Sequence, residues 1–157
     1  MTRQIGILGA GTWGTALGRL LIKNEHHVTV WSALADQITL LERDRVHPNL
    51  PGIRLPDALR FTRSLEDAVN GRDIIVLATP SIYVRETVRA AKPFLQPDQT
   101  LVSVAKGIES DTLMTMSEVV EDVLSPELAL PIAALSGPTH AEEVIRDMPS
   151  AIVSASA

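Results

Sequence analysis

The stretch Ile5-Gly6-Ile7-Leu8-Gly9-Ala10-Gly11-Thr12-Trp13-Gly14-Thr15-Ala16-Leu17-Gly18 decides how the chain is read. Gln4 to Leu8 is apolar and β-prone, and Trp13, Ala16, Leu17, Leu20 and Leu21 then recur at helical spacing. Between strand and helix, Gly9, Gly11 and Gly14 form G-x-G-x-x-G. Gly9 lets the chain turn sharply, Gly11 leaves space for a pyrophosphate to approach the backbone, and Gly14 lets the helix lie close to the sheet. The free amides and positive dipole end of that helix then face the phosphates. A ligand-free glycine turn is the simpler alternative, and the order of strand, turn and helix weighs against it.

Moving outward, the first helix is expected over Thr12 to Lys23 and the second strand over Val28 to Trp31. His26 and His27 sit on the turn between them, where adjacent side chains diverge and no further metal ligand is near. An acid at the end of the second strand would bind the ribose hydroxyl of NAD. This chain has Ser32 and Ala33 there, with Asp36 already in the next helix. Ser32 suits either a ribose contact or the N-cap of a helix beginning near Ala33. The segment from Arg45 to Pro56 carries three prolines and a glycine, so it is either an ordered loop or a flexible flap.

Further strands are expected at Leu59–Thr62, Asp73–Ala78, Thr100–Ala105 and Pro131–Leu135. Ser64 caps a short helix that stops before Gly71. The run Asp73–Ala78 suits a central parallel strand covered on both faces. Its exit, Thr79-Pro80-Ser81, falls at the carboxyl edge of the sheet, where doubly wound folds bind ligands; ordinary helix initiation explains the same residues. The next strand delivers Lys106-Gly107, and of the three lysines (Lys23, Lys92 and Lys106) only Lys106 stands at such a strand end. A helix is expected over Thr112 to Leu124, and the last strands open onto Ser136-Gly137-Pro138-Thr139-His140 and end with Ala151-Ile152-Val153. The alternation implies an α/β fold: a Rossmann-type doubly wound, mainly parallel sheet with helices on both faces, one domain over residues 1–157.

Composition narrows the function. Hydrophobic residues make up 45% of the chain and charged residues 21%, as in ordinary globular domains. The absence of cysteine removes disulfides, thiol catalysis and cysteine metal sites. A net charge of −5 argues against general nucleic-acid binding. No apolar run nears the roughly 20 residues of a membrane span, and the strand starting at Gln4 leaves no room for a signal peptide. A soluble cytoplasmic protein is expected.

Four stretches together resemble the N-terminal domain of the NAD(P)-dependent glycerol-3-phosphate dehydrogenase family: Gly9 to Leu17, Asn49 to Pro56, Ala105-Lys106-Gly107-Ile108-Glu109, and Ser136 to Val144. The resemblance implies reduction of dihydroxyacetone phosphate to sn-glycerol 3-phosphate, a phospholipid precursor, with NAD or NADP as cofactor. It implies that Thr12 and Trp13 contact the cofactor at the pyrophosphate turn, and that Lys106 meets both cofactor and substrate. Gly137 and Thr139 would bind the substrate, and Ala141 would lie against the cofactor. Many bacterial members carry a basic or polar residue where this chain has Ala33, so the resemblance leaves the choice between NAD and NADP open. His140 replaces a common aromatic residue. Family members continue into a helical C-terminal domain holding the general acid/base lysine. The present chain therefore reads as a cofactor domain cut at a domain edge, inactive alone and a possible homodimer when complete. The alternatives are a hydroxyacid dehydrogenase or ketopantoate reductase, and a dinucleotide-sensing module.

Overall fold

Alternation along the central strands sorts side chains onto two faces of one sheet. In the computed structural model, which describes residues 1–156, Ile5, Ile7, Val28, Val30 and Val76 join one core cluster, and Leu8, Trp31, Ile75, Leu77 and Leu101 join the other. The strands are β1 (Gln4–Leu8), β2 (His27–Trp31), β3 (Arg60–Thr62), β4 (Ile74–Leu77), β5 (Thr100–Ser103), β6 (Ile132–Ser136) and β7 (Val153–Ser156). They lie in the order β3-β2-β1-β4-β5-β6-β7; all neighbours are parallel except β6 and β7. The first six positions follow the Rossmann order, whose direction of winding reverses between β1 and β4 and opens a crevice there.

The helices are α1 (Thr12–Lys23), α2 (Ala35–Asp44), α3 (Leu65–Val69), α4 (Val84–Ala91), α5 (Met116–Leu124) and α6 (Ala141–Val144). Ala16 and Leu17 of α1, Ile38 and Leu41 of α2, and Val144 of α6 pack into the first cluster. Ala68 of α3, Val84 and Val88 of α4, and Val119 and Val120 of α5 pack into the second. Both faces of β1 and β4 are thereby covered, which explains their nearly unbroken apolar sequence. The doubly wound, mainly parallel fold anticipated from the strand–helix alternation is the one observed.

Several local expectations need correction. The helix expected from Thr112 begins at Met116, because Thr115 and Glu118 form a reciprocal capping box. Thr112 to Met114 instead belong to a loop in which Leu113 has φ 59°. Ser32 does not cap a helix at Ala33; α2 starts at Ala35. The last strand runs from Val153 to Ser156, later than Ala151–Val153, and is antiparallel and exposed. The proline-rich segment after α2 is ordered around buried Leu50, Leu55 and Leu59. Arg45 fastens it by donating to the Leu59 carbonyl at 2.6 Å while lying 5.5 Å from the Phe61 ring centre.

Candidate dinucleotide site

The carboxyl ends of β1, β2, β4 and β5 open into one cleft of about 1120 Å³. At its floor the Gly9 amide donates to the Trp31 carbonyl and the Ala78 amide to the Leu8 carbonyl, each at 2.9 Å. Gly9 has φ 128°, and a Cβ there would stand 2.6 Å from the Ala78 carbonyl. Only glycine meets both constraints. Gly14 closes the turn from behind: a Cβ on it would overlap the Gly9 carbonyl oxygen. It therefore sets the approach of α1 to the sheet and is not among the residues lining the cleft.

Gly11 behaves differently. Its φ is −69°, so it occupies ordinary extended backbone, and a Cβ there would meet nothing within 4 Å. The space beside it belongs to the cleft. No side chain caps α1, leaving its first amides without a side-chain acceptor. Open volume beside Gly11 and the uncapped end of a 12-residue helix together fit a pyrophosphate.

At the end of β2, Ser32 is buried and Ala33 exposed. The Ser32 hydroxyl donates to Gln37 Oε1 at 2.8 Å and accepts from the Leu34 amide at 3.1 Å. Gln37 Nε2 in turn donates to the Ala10 carbonyl at 2.9 Å. This chain of bonds ties the second strand to the glycine turn and places Gln37 in the cleft wall, a position sequence reasoning missed. Among the described residues no acid lines this end, and Asp36 does not border the cleft. Behind the turn, His47 is 3% exposed and lies beside the Ala10 backbone. Burial pushes its imidazole below the ordinary range. Its Nδ1 accepts from the Asn49 amide, and Nε2 has no hydrogen-bond partner among the described residues.

The opposite wall carries Pro80, Ser81 and Tyr83 from the turn before α4, and Lys106 from the exit of β5. Glu86 and Thr87 of α4 also reach it, which the sequence reading did not include. Thr139, His140 and Ala141 close the cleft from the β6–α6 connection. The exposed Lys106 ammonium donates to the Gly137 carbonyl at 3.0 Å. Gly137 itself is packed against Ala151, where a Cβ would come within 2.5 Å of the carbonyl oxygen, and it does not line the cleft. Of the residues singled out from the sequence, Gly9, Gly11, Thr12, Trp13, Ser32, Ala33, Pro80, Lys106, Thr139 and Ala141 share this cleft; Gly14 and Gly137 stand behind it. His26 and His27 lie elsewhere, and the described residues contain no cluster of metal-binding side chains.

Comparison with known proteins agrees with this geometry. Residues 4–157 match the family model described as NAD-dependent glycerol-3-phosphate dehydrogenase N-terminus. The chain is 48% identical over 155 residues to a glycerol-3-phosphate dehydrogenase (NAD(P)+) 2 of Lactobacillus delbrueckii subsp. bulgaricus, a match covering 97% of this chain and 46% of that protein. It is 46% identical to the glycerol-3-phosphate dehydrogenase (NAD(P)+) of Geobacter sulfurreducens, over 99% of this chain and 47% of the relative. The crystal structure of glycerol-3-phosphate dehydrogenase from Coxiella burnetii superposes with a TM-score of 0.91 at 30% identity, covering 99% of this chain and 47% of that one. The chain thus spans about half the length of the curated relatives it matches. No helix among the described residues is long and apolar enough to cross a membrane. With the family model, its relatives and its fold all matched over nearly the whole chain, the protein belongs to the NAD-dependent glycerol-3-phosphate dehydrogenase family, as its N-terminal domain.

Proposed function

We propose that this chain is the cofactor-binding half of an enzyme that reduces dihydroxyacetone phosphate to sn-glycerol 3-phosphate in the cytoplasm. A helical C-terminal domain completes that enzyme, which works as a homodimer. The observation that carries the reading is one cleft with open space beside Gly11 and the exposed Lys106 ammonium, resting on the Gly137 carbonyl, on its far wall. A bound NADH or NADPH supplies the hydride. The amides following Gly11, with Thr12 and Trp13, hold the pyrophosphate. Ser32, Ala33 and Gln37 border the adenosine ribose. Pro80 and Ala141 flank the nicotinamide end.

Lys106 contributes positive charge where a carbonyl oxygen gains negative charge as hydride arrives. Thr139 offers a hydroxyl on the same side, and Gly137 acts through its carbonyl on Lys106. Protonation of the alkoxide falls to the second domain, since Lys106 already serves as the electrostatic partner. Calorimetric titration with NADH and NADPH, followed by an assay of dihydroxyacetone phosphate reduction, tests the reading. The chain is expected to bind a reduced dinucleotide and to show no turnover. Failure to bind either dinucleotide overturns the cofactor role. Turnover near ordinary enzyme rates, about 10 per second, overturns the need for a second domain.

A further inference from the structure

The segment that follows Lys106 is knotted by charged and backbone contacts that the reaction itself does not use. Glu109 receives both arms of the Arg85 guanidinium, Nε on Oε1 and Nη2 on Oε2, each at 2.8 Å. Thr112 donates to the same carboxylate at 2.6 Å. The Glu109 amide donates to the Met114 carbonyl and the Leu113 amide to the Glu109 carbonyl, while Ile108 bridges to Thr115. Arg85 is the second residue of α4, and its remaining arm reaches Asp122 on α5 at 2.5 Å. Arg85 and Glu109 are each 21% exposed, so the pair is partly shielded from solvent. Gly107 connects this knot to the cleft: a Cβ on it would touch the Ser81 hydroxyl at 3.4 Å.

Lys106 is consequently held at two points. Its ammonium rests on the Gly137 carbonyl, and its backbone leads within three residues into the Glu109–Arg85 fork. We infer that Glu109 and Arg85 are positioning residues, which fix the Lys106-Gly107 turn against the start of α4 and so place the Lys106 ammonium at the nicotinamide end of the cleft. A bidentate fork suits this task because it fixes direction as well as distance. The alternative is a fork that only stabilises the fold. The inference rests on the proposed role of Lys106, and the test separates the two.

The readouts are affinity for NADH, measured on this chain, and the acylation rate of Lys106 relative to Lys23 and Lys92. Both reference lysines are held in ion pairs elsewhere, with Asp147 and Glu127. Glu109→Gln and Arg85→Met are each expected to change Lys106 acylation severalfold and to weaken NADH binding by about tenfold, as for residues coupled in one network. The double variant should lose no more than either single one. Arg85→Lys, which cannot span both carboxylate oxygens, should fall between. Asp122→Asn, which touches Arg85 but not the loop, should leave binding unchanged. Placed on Lys106→Met, Glu109→Gln should cause no additional loss. An additive loss there, or unchanged Lys106 acylation in a folded Glu109→Gln protein, overturns the positioning role. Unchanged NADH affinity in Lys106→Met overturns the placing of its ammonium at the nicotinamide end, whereas its role towards the substrate carbonyl is read by kcat in the complete enzyme, and the acylation result still decides whether Glu109 fixes it.

Discussion

The turn from Gly9 to Gly14 is held by backbone packing, whereas the turn from Lys106 to Thr115 is held by the Glu109–Arg85 ion pair together with its own backbone hydrogen bonds. Both face one cleft. The first needs glycine at Gly9 and Gly14, since β1, β4 and α1 come together there with no room for a Cβ. The second carries a side chain that must extend into the cleft, and its backbone is anchored from behind. Bed and probe are thus built by different means: sterics shape the surface a phosphate would rest on, and electrostatics aim the group that would act on the substrate.

The sharpest way to break the first turn without touching the second is Gly11→Val. The side chain has space in the protein itself, and φ of −69° suits valine, so thermal stability should change little. The branched Cβ would occupy the opening beside the helix amides. Calorimetric titration should show dinucleotide affinity reduced beyond detection, at least about 100-fold, as expected where close backbone approach is required. Unchanged affinity would remove the dinucleotide assignment.

Lys106→Met, measured in the complete enzyme, breaks the second turn's chemistry and leaves the first alone. If the ammonium acts mainly as charge develops, kcat should fall about 100-fold, comparable to losing an oxyanion donor, with a smaller rise in KM. A rise in KM with kcat preserved would mean that it holds the substrate phosphate only in the ground state. Wild-type values of both constants in a folded protein would take Lys106 out of the site.

Acidification should sharpen the contrast with a smaller effect. His47, buried behind the glycine turn, has its folded-state pKa lowered by burial. The unfolded state therefore binds a proton first, and the stability linked to His47 declines as pH falls below the ordinary imidazole value of about 6.5. Glu109 is held down to about 2, first by Arg85 and next by Thr112. Its contribution is complete above the ordinary carboxylate value and is lost only as pH falls from there towards about 2. Amide exchange followed against pH should thus show the glycine turn loosening first and the lysine turn well below it. Simultaneous loosening would mean that the two turns do not depend on these groups.

The same division governs how much was legible in the sequence. Strand, glycine turn and helix are consecutive, so their apolar period and glycine spacing lie in one short window, and α1 runs over the expected Thr12 to Lys23. The mainly parallel pairing of the other strands followed from repeated alternation with helices. The helix expected from Thr112 was misplaced because Glu109 takes its partner from Arg85, 24 residues away in sequence, and holds the chain in a loop up to Thr115. Gln37 was missed because a polar residue on a helix looks solvated until Ser32 and Ala10 are brought beside it. His47 gave no sign of its burial, since a proline-rich segment can be ordered or mobile with the same composition. Tyr83, Glu86 and Thr87 had one available signal: they follow directly on the Pro80 turn at a strand exit.

The fixing of Gly9 between β1 and β4 has an entropic consequence. Its amide is already bonded to Trp31, its carbonyl lies under Gly14, and its φ admits little else. Ordering this backbone is a cost met during folding, not on association. A dinucleotide arriving here gives up its own freedom, but the protein gives up almost none at the pyrophosphate. The penalty that remains lies at the two ends of the ligand, where exposed Ala33 and the long Lys106 side chain still have rotamers or solvent to lose. NAD and NADP differ only at the adenosine ribose, so a choice between them would be exercised at the Ser32–Ala33 end, and the middle of the molecule would be received alike whichever one it is.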